Sequence, residues 1–103
     1  MAEDPILHVD TLIHAPVRLA ILSVLVTSKS ASFKFLKEAT NTTDGNLNTH
    51  LSKLEAANYI KIEKRFVGKK PLTECKLTAT GRKAFMNYLT QMEQFIKNQD
   101  SSK

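Results

Sequence analysis

Apolar residues along the chain recur first at helical spacing, then at alternate positions, then at helical spacing again. Asp4-Pro5 suits a helix start, an N-cap followed by a proline in the first turn. Ile6, Val9 and Ile13 then share one face, which predicts a short amphipathic helix over residues 5–13. His14-Ala15-Pro16 interrupts it, and Pro16 again suits a first turn. Residues 15–28 are apolar nearly all round: Val17, Ala20, Ile21, Val24 and Leu25 form one broad stripe, with Leu19, Leu22 and Val26 towards the other side. A helix of that kind is packed on both sides and belongs at the centre of a fold. Ser30-Ala31-Ser32 reads as a connector or a very short strand. Residues 33–39 make a two-turn helix with Phe33 and Leu36 facing inward and Phe35 as a further candidate for that inward face. Thr40-Asn41-Thr42-Thr43 is a polar turn of helix-capping residues. The next helix starts near Asp44, runs to about residue 57 and closes at Asn58.

The period then changes to two. Ile60, Ile62, Lys64 and Phe66 share one strand face, and Lys61, Glu63, Arg65 and Val67 alternate with them. Gly68 sits in a turn where a hairpin needs positive φ, and the returning strand turns Cys75 and Leu77 to the core. A last helix covers residues 79–98, with Phe85, Leu89, Met92 and Ile96 as its apolar stripe, flanked by Tyr88 and Phe95. A short helix, a polar turn and a longer helix form a helix-turn-helix over residues 33–57. The hairpin of residues 60–78 directly after it forms a wing. The predicted fold class is mainly α with a small β-hairpin wing (α+β), a winged helix-turn-helix in a single domain over residues 1–103.

Charge sharpens this picture. The chain carries a net +5, but residues 61–83 hold eight basic residues against two acidic ones, a balance of +6. The whole positive excess therefore lies in the hairpin and its junction with the last helix. A charged hairpin also protects its own edge from pairing, but a basic wing beside a helix-turn-helix points to nucleic acid. The remaining composition, 42% hydrophobic with three Gly, three Pro and one Cys, belongs to a globular chain with neither a disulfide framework nor a Cys-rich zinc site. The acidic N-terminus lacks the positive region of a secretory signal. The most apolar run, residues 19–26, is far shorter than the roughly 20 residues that span a bilayer. A soluble, cytoplasmic protein with no membrane partner is expected.

On the second helix of the pair, Leu47, Leu51 and Leu54 form a narrow stripe. Gly45, Asn46, Thr49, Ser52 and Lys53 face away from it, and Thr43 stands at its start. No acidic residue lies on that face. Short amide and hydroxyl side chains reach base edges in the major groove, and Lys anchors phosphate or guanine; Asn46 is the best base reader, since its amide pairs bidentately with adenine. Lys64, Arg65, Lys69 and Lys70 surround the wing turn, where the backbone or an adjacent minor groove would meet them. His50, about 65° from the leucine stripe on a 100° projection, reads as a boundary packing residue or a backbone-phosphate contact rather than a base reader. Nothing in the chain points to an enzyme or a cofactor: it has no phosphate-binding glycine loop, no nucleophile motif and no carboxylate pair among apolar residues. His8, His14 and His50 are too scattered for a metal site. A protein-interaction or assembly module without DNA readout is the alternative on the same fold.

These residues carry a resemblance. His14-Ala15-Pro16-Val17-Arg18-Leu19 and the residues after it resemble the opening helix of MarR- and ArsR-like winged-helix regulators. Thr43-Asp44-Gly45-Asn46-Leu47-Asn48-Thr49-His50-Leu51 resembles their recognition helix, Arg65 to Pro71 their wing, and Leu77-Thr78-Ala79-Thr80-Gly81-Arg82 the junction into their last helix. The resemblance covers about residues 5–97 and is nearest to compact stand-alone regulators with the motif Leu-Thr-x-Gly-Asn-Leu-x-x-His-Leu, where Thr42 here replaces the first Leu. It implies a homodimeric regulator of double-stranded DNA, with Asn46, Thr49, Ser52 and Lys53 towards the major groove and Lys69 and Lys70 at the wing tip. It also implies a two-fold dimer built from the N- and C-terminal helices, through Ile6, Val9, Ile13, Phe85, Leu89, Met92 and Ile96. The cysteine pair of metal-sensing ArsR-like proteins is missing, and Asn58 stands where Gly is usual.

Overall fold

The computed structural model describes residues 9–101. Its elements are α1 (Pro16–Thr27), β1 (Ala31–Ser32), α2 (Phe33–Thr40), α3 (Asp44–Ala56), β2 (Ile60–Val67), β3 (Lys70–Leu77) and α4 (Ala79–Ser101). The strands form one antiparallel sheet in the order β1-β3-β2. This is an α+β winged helix, with β1 as the very short strand that the pattern allowed at Ala31-Ser32.

The core follows from the apolar periodicity. Ile21, Leu22 and Leu25 of α1 meet Leu36 of α2, the Leu47-Leu51-Leu54 stripe of α3, and Ile60 and Cys75 of the sheet, all fully buried. Burying each such side chain contributes about 1.5–3 kcal/mol, so the three leucines alone fix which face of α3 points inward. Cys75 is sealed in this core, and burial, with a lesser contribution from Glu55, raises its thiol pKa to about 11. It stays protonated and unreactive at neutral pH.

The N-terminal segment departs from expectation. Residues 9–15 form turns rather than the end of a helix over residues 5–13; residues 5–8, Ile6 and His8 among them, lie outside the described residues. The cause is Asp10. Its Oδ1 accepts hydrogen bonds from the Leu12 and Ile13 amides at 2.9 and 3.2 Å, a local side-chain closure that competes with helix. Its Oδ2 accepts from the Tyr59 hydroxyl. That bond, with burial and the carboxylate charge behind it, raises the Tyr59 pKa to about 12. Val9 and Ile13 are buried all the same. Phe35 also differs: it stands about half exposed on α2, while Leu36 is the buried residue there.

Both helices of the pair start and stop on identifiable side chains. Ser32 Oγ caps α2 by accepting from Phe35 N, and Thr43 Oγ1 caps α3 by accepting from Asn46 N. Each helix ends in a left-handed asparagine, Asn41 at φ 52° and Asn58 at φ 63°. After α3, Asn58 N donates to Glu55 O and Tyr59 N to Leu54 O; after α2, Asn41 N donates to Glu38 O and Thr42 N to Lys37 O. These are paired Schellman closures. They leave only Asn41, Thr42 and Thr43 between the two helices.

Candidate nucleic-acid interface

The reading face begins with how α3 is held. At its C-terminal end, Tyr59 O accepts from Thr78 N, and the Thr78 hydroxyl contacts Asn58 O and Tyr59 O at 2.6 and 3.0 Å. The same Thr78 Oγ1 accepts from Gly81 N in the first turn of α4. Gly81 is required there: a Cβ on it would lie 2.0 Å from Tyr59 O. In its middle, α3 is tied to α1, where Arg18 Nη1 donates to His50 Nδ1 at 3.0 Å. Arg has no acceptor, so the imidazole is neutral and carries its proton on Nε2. Burial first, then the Arg18 and Lys53 charges, keep the His50 pKa below its ordinary value. His50 is half-buried, the boundary residue its position on the helix implied. On the wing side, Glu55 Oε2 accepts from Ile62 N at 3.0 Å.

Held this way, α3 presents Gly45, Asn46, Thr49, Ser52 and Lys53 to solvent, with Thr43 exposed at its start. The Thr49 hydroxyl donates back to Gly45 O at 3.0 Å, which leaves its oxygen as an outward acceptor. Two carboxylates flank the face and both are engaged: Asp44 pairs with Lys37 at 2.7 Å, and Glu55 holds the Ile62 amide. Lys53 has no carboxylate partner among the described residues.

The wing divides its charges by face. The Val67–Lys70 turn has Gly68 at φ 64° and no positive φ at Lys69, the pattern of a type II′ hairpin. On the outer face, Glu63 pairs with Lys76 and Lys61 at 3.4 and 3.9 Å, and Arg65 pairs with Glu74 at 2.8 Å. Arg65, expected with the contact lysines, thus has one guanidinium nitrogen paired with Glu74, its side chain still exposed. The alternation of the strand already put Arg65 on the face opposite Lys64, but its Glu74 partner was not legible, because the bond runs diagonally across two strands whose register is unknown until the hairpin forms. Lys64 on the inner face has no such partner among the described residues, and neither do Lys69 in the turn or Lys70, which pairs with Val67 at the end of the outer face. Between this inner face and α3 lies a groove of about 690 Å³, bordered by Asn48 and Ser52 of α3, Ile62 and Lys64 of β2 and Thr73 of β3, with the engaged carboxylates Asp44 and Glu55 also on its α3 side. Its α3 border includes Asn48, which the leucine-stripe projection left at the edge of the face.

The residues expected at a dimer contact are spread across different environments. Val9, Ile13 and Phe85 lie within the chain's own core, at 8%, 0% and 3% exposure. Met92 is partly buried against that core. Leu89 and Ile96 remain 43% and 58% exposed, and Met86, which the stripe did not include, is exposed beside them. His14 Nδ1 meets the Tyr88 hydroxyl at 2.8 Å, joining α4 to the turn before α1.

Known proteins place this arrangement. A family model described as a winged helix DNA-binding domain matches residues 17–96. An uncharacterized protein of Methanocaldococcus jannaschii is 40% identical over 82 residues, 80% of this chain and 89% of that one. Among solved structures, a transcriptional regulator homologue from Pyrococcus horikoshii OT3 superposes with a TM-score of 0.82 at 26% identity, covering 88% of this chain and 90% of that one. A MarR-family transcriptional regulator from Silicibacter pomeroyi shares the fold at a TM-score of 0.66 and 17% identity, over 86% of this chain and 59% of that one. The chain belongs to the winged helix DNA-binding domain family and has the fold of MarR-like transcriptional regulators.

Proposed function

We propose that this DNA-binding regulator reads a specific double-stranded sequence in the cytoplasm as a homodimer, each α3 entering a major groove and each wing lying on the flanking backbone or minor groove. The observation that carries the reading is the acid-free exposed face of α3 beside three wing lysines without carboxylate partners. Asn46, Thr49 and Ser52 supply hydrogen-bonding groups at base-edge reach, and Lys53, Lys64, Lys69 and Lys70 supply phosphate contacts. Thr43 and Gly45 let the N-terminal turn of α3 approach the backbone closely: Gly45 has open space around it, and helix N-termini favour phosphate. Arg65, tied to Glu74 through one nitrogen, keeps further N–H donors for a phosphate. The dimer contact is drawn from the exposed side of α4, through Leu89, Ile96 and the margin of Met92, and it sets two reading helices roughly 34 Å apart.

The test is fluorescence anisotropy on duplex DNA selected from a random pool, across a salt series. The expected result is an affinity that falls steeply with salt, by about 0.9 in log–log slope for each phosphate neutralised. Binding that ignores salt contradicts the reading.

A further inference from the structure

The wing carries a group that phosphate binding does not use. Phe66 is 72% exposed, its neighbour Val67 is 57% exposed, and Phe66 is paired in register with the exposed Pro71. Single exposed apolar residues are ordinary, but Phe66 and Pro71 lie side by side on one face near the end of the hairpin, with Val67 turned to the other face, and together they form an apolar tip. Strand parity sets its direction. Phe66 shares a face with Ile62 and Lys64, which border the groove beside α3. It lies six residues beyond the buried Ile60, about 20 Å along the strand at ~3.3 Å per residue. A minor groove lies half a helical turn, roughly 17 Å, from the centre of a major-groove contact. Lys64, Lys69 and Lys70 surround the tip without carboxylate partners among the described residues, so its surroundings attract phosphate rather than an apolar protein face.

We infer that Phe66 is a wedge that enters a base step from the minor groove flanking the α3 contact, partly unstacking and kinking the duplex there. This rests on the DNA-reading function proposed above and specifies how the wing contributes to it. Apolar side chains inserted from the minor groove unstack one step and bend DNA by about 20–90°, and pyrimidine–purine steps yield most readily. The wing then selects sequence by deformability at a position where it makes no base-edge hydrogen bond.

The test uses the full chain and a duplex recovered by selection from a random pool, with 2-aminopurine replacing adenine at successive flanking positions. Wild-type protein is expected to raise emission at one step in the flank, and end-labelled duplex to show a bend by energy transfer. Phe66→Ala is expected to abolish both signals and to weaken binding about 10-fold, the scale of one lost base–aromatic contact. Phe66→Leu, still an apolar wedge, is expected to keep most of both. Because Phe66 is exposed, circular dichroism and thermal midpoint stay at wild-type values in both variants. Tight binding with no emission change or bend overturns the wedge and leaves the regulator reading standing. Absence of all DNA binding overturns both. A Phe66→Ala variant that changes the oligomeric state but keeps the bend assigns the tip to a protein contact and overturns the wedge.

Discussion

At the scale of single residues, backbone contacts that no side-chain pattern encodes decide the most. Gly81 lies in the first turn of α4, where glycine ordinarily weakens a helix, yet Tyr59 O leaves no room for a Cβ. Gly81→Ala is expected to cost about 1–3 kcal/mol, the scale of overpacking, read as a lower denaturant midpoint with an unchanged slope. The resemblance marked the Leu77-Thr78-Ala79-Thr80-Gly81 junction, but only the structure explains it, because the obstructing atom is a carbonyl 22 residues earlier in the chain. His50 makes a second prediction. Its pKa is lowered in the fold, so its contribution to stability is complete above the unfolded value of about 6.5. That contribution is lost as pH falls from there through the folded pKa, because the unfolded chain takes the proton first. An NMR titration is expected to place the His50 midpoint below the ordinary range. In Arg18→Ala the midpoint moves part of the way back, since burial, the larger cause, remains. A midpoint unmoved by that substitution contradicts the Arg18–His50 contact.

At the scale of elements, the leucine stripe, the capping threonine, the left-handed Asn58 and the alternation of the hairpin were all legible, because each rests on local chemistry. The path of residues 9–13, expected as the end of an N-terminal helix, was not. Val9 and Ile13 are spaced as on a helix and are buried, but spacing reports burial and not the backbone path, and the Asp10 carboxylate closes a turn instead. The same limit applies to the stripe of α4. Phe85, Leu89, Met92 and Ile96 lie on one helical face, yet Phe85 faces the chain's own core while Leu89 and Ile96 do not. Helical spacing alone cannot show where the core ends along a 23-residue helix. This division locates the proposed dimer contact. Leu89→Glu combined with Ile96→Glu is expected to halve the mass seen by sedimentation velocity while leaving the monomer folded, since neither side chain belongs to the core. Unchanged mass in that variant moves the interface elsewhere.

At the scale of the whole molecule, the structured residues extend 60 Å along their long axis against 25 and 21 Å across, with α4 alone accounting for about 35 Å of helix. Most of the positive excess, six basic residues against two acidic ones over residues 61–77, sits on the wing beside α3, with Arg82 and Lys83 in the first turns of α4, so affinity and readout are separable by mutation. Lys69→Ala with Lys70→Ala is expected to weaken binding to every duplex alike and to reduce the salt slope by about 2, one for each phosphate contact. Asn46→Ala leaves the charge unchanged and removes a base-edge amide. Most direct is therefore the ratio of affinities for the selected duplex and a scrambled one at fixed salt, compared between wild type and Asn46→Ala. The ratio is expected to fall by about 5- to 150-fold, equivalent to ~1–3 kcal/mol for one bidentate contact, while affinity for the scrambled duplex holds. An unchanged ratio, or an equal loss on both duplexes, would contradict α3 as the reading helix.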